Sequence, residues 1–317
     1  HPPRTRDART AKRVSMSAQI LCIGECMAEL SGPDGARRLG FGGDTLNTAM
    51  TLAHVLGPGR VGYVTRLGDD PYSEAMTTAW DGTGIDCSLV ERAPGETVGL
   101  YAIETDTAGE RSFTYWREAA PARGLFTEGS VDARAAAIAV ADAIYFSGIT
   151  LAILPDAGRT RLLEAAAWAK ARGALVAVDP NHRPRLWQMT EAARWIEAAY
   201  RSANLVLTSE AEELALFGPG DPAARAMSWG VETVILKAGM GDVRAQKRAM
   251  APFSQSPAPV ARVRDTTGAG DAFNAGVLAA LLSQRDLQAA VAEGIALGRL
   301  AVQHAGAILS AEAIRRR

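Results

Sequence analysis

The hydrophobic positions from Gln19 onward alternate between two patterns: short runs that are apolar throughout, and longer stretches that are apolar at every third or fourth residue. The first pattern predicts buried strands and the second predicts amphipathic helices. Strands without a polar face, separated by helices, indicate a mostly parallel sheet covered by helices on both sides. Ligands of such α/β sheets bind at the carboxyl ends of the strands. The predicted strands include ILCIGECM, RVGYVTRLG, AIYFSGI, ALVAVD, NLVLTS and TVILKAG, and the predicted helices include 44–56, 269–282 and 286–304.

The alternation stops in residues 86–118. This segment has apolar residues at every second position and turn signals at Pro94-Gly95 and Ala108-Gly109, but it has no helical pattern. These features predict an antiparallel hairpin. A second short interruption lies at about residues 29–41. We predict that the two interruptions form a small β-sheet lid beside the ligand-binding edge of the main sheet.

The composition is that of a globular protein with one large domain, which we assign to residues 17–311. Of the 317 residues, 48% are hydrophobic and 22% are charged, as is typical of a soluble protein with a sizeable core. The net charge of −1 gives no overall field that would attract nucleic acid or an anionic membrane. Residues 1–16 carry five basic residues but no apolar segment of a secretory signal, so we predict a disordered tag or an extended start.

Two further features bear on the cellular setting. Cys22, Cys26 and Cys87 show no metal-binding spacing, and a reduced, cytoplasmic setting is the simplest prediction. The segment 135–154 has the length of a membrane span, but it contains a compact strand-like run followed by Pro155. We interpret it as a buried helix end followed by a central strand, and we expect neither a membrane nor a nucleic-acid partner.

Two stretches of the chain are rich in glycine. One connects a predicted helix to a predicted strand, and the other connects an extended segment to a predicted helix. GPGRVG, residues 57–62, has the spacing of a dinucleotide-binding loop, but it follows a helix and enters a strand. A dinucleotide needs the reverse order, so this match is a helix-to-strand loop. RDTTGAGDAFNAG, residues 264–276, follows an extended segment and enters an apolar helix. Backbone N–H groups at such a helix start favour an anion.

Asp271 follows these glycines, and one interpretation is that it only caps the helix. However, DTTGAGDAFNAG closely resembles the C-terminal signature of the ribokinase-like (PfkB) carbohydrate kinases. The resemblance implies a ribokinase-like three-layer α/β/α fold with a mostly parallel central sheet and a small β-sheet lid. It also implies that Gly268, Ala269 and Gly270 form an anion hole for the transferring phosphoryl group, with Asp271 as the base for the accepting hydroxyl. An ordinary carboxyl pKa of about 3.9 suffices for such a base, because phosphoryl transfer depends mainly on positioning.

The upstream motifs resemble one branch of this family, the 2-keto-3-deoxygluconate (2-dehydro-3-deoxygluconate) kinases. They are CIGECMAEL, FGGDTLNTA, GLYAIETDTAGERSFTYWREAA, YFSGITLAIL, DPNHRPRLW and ILKAG. Tyr115 and Arg117 share a face if their segment is extended, and an arginine fork suits a carboxylate or a phosphate. Ordinary surface charge is the alternative for the arginines, and Glu29 either binds a sugar hydroxyl or supports the lid. By position, the resemblance implies that the substrate is bound by Gly42, Gly43, Asp44, Asn47, Tyr101, Tyr115, Arg117 and Arg183.

For the nucleotide, the resemblance implies ATP with Mg²⁺. The metal ion would be held mainly through phosphates and water, so no protein metal ligand is predicted. A monovalent cation is a further candidate cofactor. The chain departs from many relatives in having Ser209 in place of an asparagine before Glu212, and Ala238 in place of an arginine. The implied nucleotide-binding residues are Asn181, Arg183, Ser209, Lys237, Gly239, Gly268 and Gly270.

Together these features predict ATP-dependent phosphorylation of 2-keto-3-deoxy-D-gluconate to 2-keto-3-deoxy-6-phosphogluconate. The expected partners are the sugar acid, ATP and further copies of the chain, with the lid as the contact between subunits. Two alternatives stay open: another kinase of the family, such as a fructokinase, and a ligand sensor on the same fold without catalytic activity. An intact Asp271 argues against the sensor.

Overall fold

A computed structural model describes residues 19–32, 36–105, 111–127 and 131–317. The predicted start at 1–16 and the predicted turn at 108–109 lie outside these residues. The strands are β1 (Ile20–Ile23), β2 (Met27–Ser31), β3 (Arg38–Gly42), β4 (Val61–Gly68), β5 (Val90–Ala93), β6 (Leu100–Thr105), β7 (Arg111–Trp116), β8 (Ala143–Ser147), β9 (Leu175–Asp179), β10 (Leu205–Ser209), β11 (Thr233–Lys237), β12 (Val243–Lys247) and β13 (Phe253–Gln255). The α-helices are α1 (Asp44–Leu56), α2 (Pro71–Asp81), α3 (Val131–Val140), α4 (Gly148–Ile153), α5 (Asp156–Ala171), α6 (Met189–Ser202), α7 (Glu210–Phe217), α8 (Pro222–Ser228), α9 (Ala269–Leu282), α10 (Leu287–Ala301) and α11 (Ala311–Arg315).

The larger sheet has the strand order β13-β12-β11-β10-β9-β8-β1-β4-β5. The pairs from β11 to β5 are parallel, and only β12 and β13 at one edge are antiparallel. β8 is buried along its whole length, as a strand covered on both faces must be. The prediction of a mostly parallel α/β sheet is confirmed.

The smaller sheet has the strand order β3-β2-β6-β7. β6 and β7 form the predicted antiparallel pair, while β2 and β6 run parallel. The predicted lid boundaries at 86–118 are wrong in one part, because β5 pairs with β4 in the larger sheet through the register Thr65 to Val90. The lid therefore begins only at β6 in this half of the chain.

The predicted strand ILCIGECM is divided in the structure. β1 ends at Ile23, and β2 starts a new sheet at Met27. A side chain at Gly24 would place its Cβ 2.3 Å from Thr45 Oγ1 at the start of α1. The close approach between this turn and α1 therefore requires glycine, and the break in the strand brings the lid over the helix start.

The membrane-like segment 135–154 contains the end of α3, the strand β8 and the short helix α4. In the described residues, no helix is long and apolar enough to cross a membrane. The glycine-rich loop 57–62 begins where α1 ends and leads into β4, which confirms that it connects a helix to a strand.

Arg159 is a buried charge in the helical layer formed by α4, α5 and α6. Its Nε donates to Leu151 O at 2.7 Å and its Nη2 donates to Ala152 O at 3.3 Å, which closes the end of α4. Its guanidinium lies 5.4 Å from the ring centre of Trp187 and 5.3 Å from that of Trp195. The ion pairs to acids on α5 and α6 leave no part of the charge unpartnered.

We expect Arg159→Met to lower the free energy of unfolding by about 3 kcal/mol, because it leaves buried carbonyls without a donor and breaks a buried ion pair. Urea unfolding at pH 7 measures this loss. Arg194→Met is the matched control, since Arg194 also lies over Trp195 but is exposed, and we expect a change below about 0.5 kcal/mol. Equal losses for the two variants would contradict the role assigned to Arg159.

Candidate active site

The site lies where the N-terminal ends of α1 and α9 meet the carboxyl edge of the larger sheet. Gly268 precedes α9 with φ +73°, a conformation that favours glycine. A Cβ there would lie 2.3 Å from Ala307 O, so the backbone also leaves no room for a side chain. The first amides of a helix have no partner inside the helix and form its positive end. Here the Ala269 amide already donates to Thr266 O at 3.3 Å, and the amides of Gly268 and Gly270 lie on either side of it.

Asp271 lies in the first turn of α9. Asn47 Nδ2 donates a hydrogen bond to Asp271 Oδ2 at 2.8 Å, and Thr48 Oγ1 donates to the Asp271 backbone oxygen at 3.3 Å. Both donors belong to α1, the helix that follows Gly42-Gly43. The predicted base and the predicted substrate helix are therefore in direct contact.

The surroundings of Asp271 raise its pKa to about 7. Burial is the largest cause, and the negative charges of Asp44 and Asp179 add to it, while the Asn47 hydrogen bond and the Lys237 charge lower the pKa. The expectation of an ordinary pKa is therefore wrong, because tertiary contacts that the sequence does not reveal surround this carboxyl. A carboxyl that titrates near neutral pH suits general-base catalysis better than an ordinary one.

The glycines before α1 allow the lid to approach this helix. A Cβ at Gly42 would lie 2.2 Å from Tyr101 Oη, and a Cβ at Gly43 would lie 2.3 Å from Glu25 O. Tyr101 also donates a short hydrogen bond to Glu29. Glu29 thus supports the lid in this structure.

Tyr115 and Arg117 lie on the last lid strand and just beyond it. The Tyr115 ring stacks on Tyr101 with centroids 5.9 Å apart, and the Arg117 guanidinium carbon lies 5.7 Å from the Tyr115 centroid. Arg117 is buried and forms a short ion pair with Glu25, which follows β1. Burial raises the pKa of Glu25, and the positive charge of Arg117 opposes that rise. In this state, the predicted carboxylate-binding arginine already has a carboxylate partner.

Asn181 and Arg183 follow β9 at the same edge. Asn181 has φ +33°, and its Nδ2 donates to Asp44 Oδ2 at 2.8 Å. Arg183 is exposed and forms no ion pair with the residues that the structure describes. Its guanidinium is therefore available to an anionic ligand, whereas the Asn181 amide already holds Asp44.

The predicted nucleotide residues lie at the ends of β10 and β11. Lys237 Nζ lies 4.0 Å from the position of a Cβ on Gly270, which places the ammonium beside the start of α9. Ser209 caps α7, and its Oγ donates to Glu212 Oε2 at 2.9 Å. Gly239 follows β11 with φ +58°. The seven implied nucleotide residues thus share one edge, but Ser209 is directed toward its own helix.

Burial raises the pKa of Glu212, and the neighbouring Asp179 carboxylate adds to the effect. Glu212 Oε1 also accepts the His182 amide at 3.1 Å. No group of three or more His, Cys, Asp and Glu side chains in the described part of the chain has the arrangement of a metal site. Both carboxylate oxygens of Glu212 are thus engaged in local hydrogen bonds.

Sequence reasoning missed three polar residues of the site: Glu25, Asp179 and Asn274. Asn274 Nδ2 donates to Asp179 Oδ2 at 2.7 Å and to Tyr145 Oη at 3.0 Å, and all of these groups are buried. Asp179 ends a predicted strand, and Asn274 lies within the quoted helix motif, so polar residues in otherwise apolar elements were the available signal. Glu25 carried a similar signal inside ILCIGECM.

We expect Asp271→Asn to stabilise the protein, on the order of 2 kcal/mol at pH 8 and about a third of that at pH 5. The folded-state pKa lies above the unfolded value, so an ionised Asp271 costs stability above pH 7, and the cost declines as the pH falls toward 4. Thermal unfolding at both pH values measures it. As a control, Asp286→Ala removes the cap that accepts the Ala289 amide and is expected to lose about 1 kcal/mol at both pH values. A pH-independent effect of Asp271→Asn would contradict this account.

Comparison with known proteins identifies the family. The chain matches the pfkB family carbohydrate kinase model over residues 17–314. It is 37% identical over 307 residues to the 2-dehydro-3-deoxygluconokinase of Escherichia coli strain K12, covering 94% of this chain and 99% of the relative. The enzyme of the same name from Dickeya dadantii is 39% identical over 304 residues, covering 93% and 98%. A fructokinase from Klebsiella pneumoniae is 31% identical over 307 residues, covering 92% and 96%.

Solved structures share the fold over nearly the whole chain. A PfkB protein from a Polaromonas species superposes with a TM-score of 0.81 at 25% identity, covering 95% of this chain and 100% of that one. A putative ribokinase II of Escherichia coli in complex with ATP and Mg²⁺ has a TM-score of 0.80 at 21% identity, covering 95% and 100%. The matched part, 95% of this chain in both cases, includes strands of both the larger sheet and the lid sheet. This chain belongs to the pfkB family of carbohydrate kinases.

Proposed function

We propose that this protein transfers the γ-phosphoryl group of ATP to 2-keto-3-deoxy-D-gluconate and forms the 6-phosphate. The observation that carries the proposal is the position of Asp271 beside the N-terminus of α9, in hydrogen-bond contact with Asn47 of the substrate helix. The identity of 36–39% to relatives named 2-dehydro-3-deoxygluconokinase, over more than nine-tenths of the chain, supports the choice of substrate.

In the reaction, the substrate hydroxyl oxygen bonds to the γ-phosphorus while the bond from that phosphorus to the bridging oxygen of ADP breaks. Asp271 accepts the hydroxyl proton, which its raised pKa favours near neutral pH. The first amides of α9, at Gly268, Ala269 and Gly270, stabilise the charge of the transferring group. Most of the acceleration comes from this positioning and charge stabilisation.

The sugar acid would lie between α1 and the lid. Gly42, Gly43, Asp44 and Asn47 would contact its hydroxyl and keto groups, and the stacked rings of Tyr101 and Tyr115 would cover it. Two arginines are placed for its carboxylate. Arg183 is exposed at this edge, while Arg117 would have to exchange its present partner, Glu25, for the substrate.

ATP would bind along the ends of β9 to β11, through Asn181, Ser209, Lys237 and Gly239. The solved structure of the Escherichia coli ribokinase II, which has the same fold, contains ATP and Mg²⁺. This supports the proposal that the present protein binds both. Mg²⁺ would bind together with the phosphates and keep several water ligands.

A monovalent cation is a further proposed cofactor. Assays with and without K⁺ test this proposal, and equal rates would contradict it.

The outer face of the lid supports the proposal of a homo-oligomer. Leu39 is 45% exposed and Trp116 is 54% exposed, and the strand register places both on the face opposite Tyr101. A second copy would cover these apolar side chains. Light scattering of the purified protein tests this, and a monomer mass at micromolar concentration would contradict it.

The free thiols of the three cysteines support a reducing, cytoplasmic compartment.

Fructose is the second candidate substrate, supported by the 31% identity to a fructokinase. A coupled assay of ADP release, with 2-keto-3-deoxygluconate, fructose or no sugar, separates the candidates. We expect turnover with the sugar acid, an acidic limb near pH 7, and a loss of about 10²–10⁴-fold in kcat for Asp271→Asn. A preference for fructose would contradict the substrate but not the family, and binding without ADP release would favour a sensor.

We expect Arg183→Met to lower kcat/KM for 2-keto-3-deoxygluconate about 10- to 100-fold, because a charged hydrogen bond to the carboxylate is lost. Steady-state kinetics measure this effect. Arg185→Met is the matched control, because Arg185 is an exposed arginine of the same loop whose hydrogen bond goes to Phe113 O. Equal effects of both substitutions would show that Arg183 contributes only general surface charge.

A further inference from the structure

Asp179 is a buried carboxylate at the end of β9, and three donors from three elements converge on it. Its Oδ2 accepts hydrogen bonds from Lys237 Nζ and from Asn274 Nδ2, each at 2.7 Å. Its Oδ1 accepts the backbone amide of Asn181 at 3.0 Å. The carboxylate is therefore satisfied by groups of β11, α9 and the loop that follows β9.

The Lys237 side chain reaches Asp179 across the end of an intervening strand, β10. β9 and β11 are separated by β10, so the strands lie about 10 Å apart, which is two strand spacings. The lysine side chain must cross the end of β10, where Ser209 pairs in register with Lys237. Ser209 is small, and its hydroxyl turns toward Glu212, which leaves this path open. The ammonium thus lies at the end of β9 and not at the end of β11, the strand to which Lys237 belongs.

This arrangement brings the ammonium to the anion-binding end of α9. Lys237 Nζ lies 4.0 Å from the Cβ position of Gly270 and 3.4 Å from Asn274 Oδ1. Burial alone lowers the pKa of Lys237, but the carboxylates of Asp179 and Glu212 outweigh it and raise that pKa. The charge therefore stays on the ammonium in a position where it would face a transferring phosphoryl group.

The other oxygen of Asp179 connects the nucleotide side to the substrate side. Its hydrogen bond to the Asn181 amide holds a residue with positive φ, a conformation that needs external support. The Asn181 side chain in turn donates to Asp44, the first residue of α1. One carboxylate thereby fixes contacts on both sides of the proposed reaction centre.

We propose that Asp179 is a positioning residue for phosphoryl transfer, which holds the Lys237 ammonium beside the anion hole and the Asn181 side chain against Asp44. The proposal rests on the proposed function. Asp179 does not touch the reacting groups in this account and acts on the rate only through Lys237 and Asn181. A buried ion pair often contributes little net stability, so holding the geometry is the better explanation of this one.

The first test needs no sugar. Lys237 is labelled by a lysine-acylating N-hydroxysuccinimide ester and followed by mass spectrometry of its peptide. In Asp179→Asn the ammonium loses its main partner, so its pKa falls and the fraction of neutral, reactive amine increases; we expect labelling at least about tenfold faster, equivalent to one pKa unit. Lys247 is exposed and serves as the internal standard. Unchanged labelling of Lys237 would overturn the proposal.

The second test is a double-mutant cycle in kcat with Asp179→Asn, Lys237→Met and the double variant. Misplacing a catalytic charge by about 1 Å costs about 10²-fold, and we expect that loss for Asp179→Asn. Because the part of the Asp179 effect that passes through Lys237 is already lost in Lys237→Met, we expect the double variant to lose clearly less than the product of the two single losses. Losses that multiply in the double variant would overturn the proposal, since a purely structural role of Asp179 gives independent effects.

Glu213→Gln is the matched control. Glu213 is another buried carboxylate, bonded to Tyr200 Oη and paired with Arg225 away from the site. We expect this variant to lose stability without changing Lys237 labelling or kcat more than about twofold. If Asp179→Asn does not fold, Asp179→Ser replaces it in both tests. If the wild type does not phosphorylate the sugar acid, the proposed function is refuted. The labelling test would still decide whether Asp179 holds Lys237.

Discussion

The structure depends on one close approach: the N-terminus of α9 lies against the carboxyl edge of the larger sheet, with the start of α1 beside it. At Gly268 a side chain would collide with Ala307 O, so glycine lets the start of α9 pack against the segment that follows α10. Gly24 and Gly43 have the same role on the α1 side, where side chains would collide with Thr45 and Glu25. These contacts keep the first turn of α9 beside the polar groups of α1.

The second constraint is electrostatic. Asp44, Asp179 and Asp271 lie near one another, and the positive charge of Lys237 offsets part of the repulsion among their carboxylates. Burial is the largest reason that the pKa of Asp271 rises to about 7, and the like charges of Asp44 and Asp179 add to the rise. In the proposed mechanism, the same crowding would give the base a useful pKa, and it imposes a cost in stability, as is common at active sites. In the proposed reaction, a triphosphate with Mg²⁺ would enter a site whose charges are already fixed by hydrogen bonds.

The lid follows from the same packing. It consists of β3, β2, β6 and β7, and its inner face carries the stacked rings of Tyr101 and Tyr115. The buried pair of Glu25 and Arg117 joins the end of β7 to the loop after β1. Because breaking such a pair would leave a buried charge unpaired, the pair holds the end of β7 against the loop after β1.

The sequence by itself determined the element types, the mostly parallel sheet and the glycine-rich helix start, because these follow from local hydrophobic periodicity and backbone requirements. Helices 44–56 and 269–282 were predicted with the bounds that the structure shows. Only the tertiary structure decided that β5 joins the larger sheet, that Asp179 holds Lys237, and that the pKa of Asp271 lies near 7. These features arise from residues far apart in the chain, whose distances and shared loss of water exist only after folding.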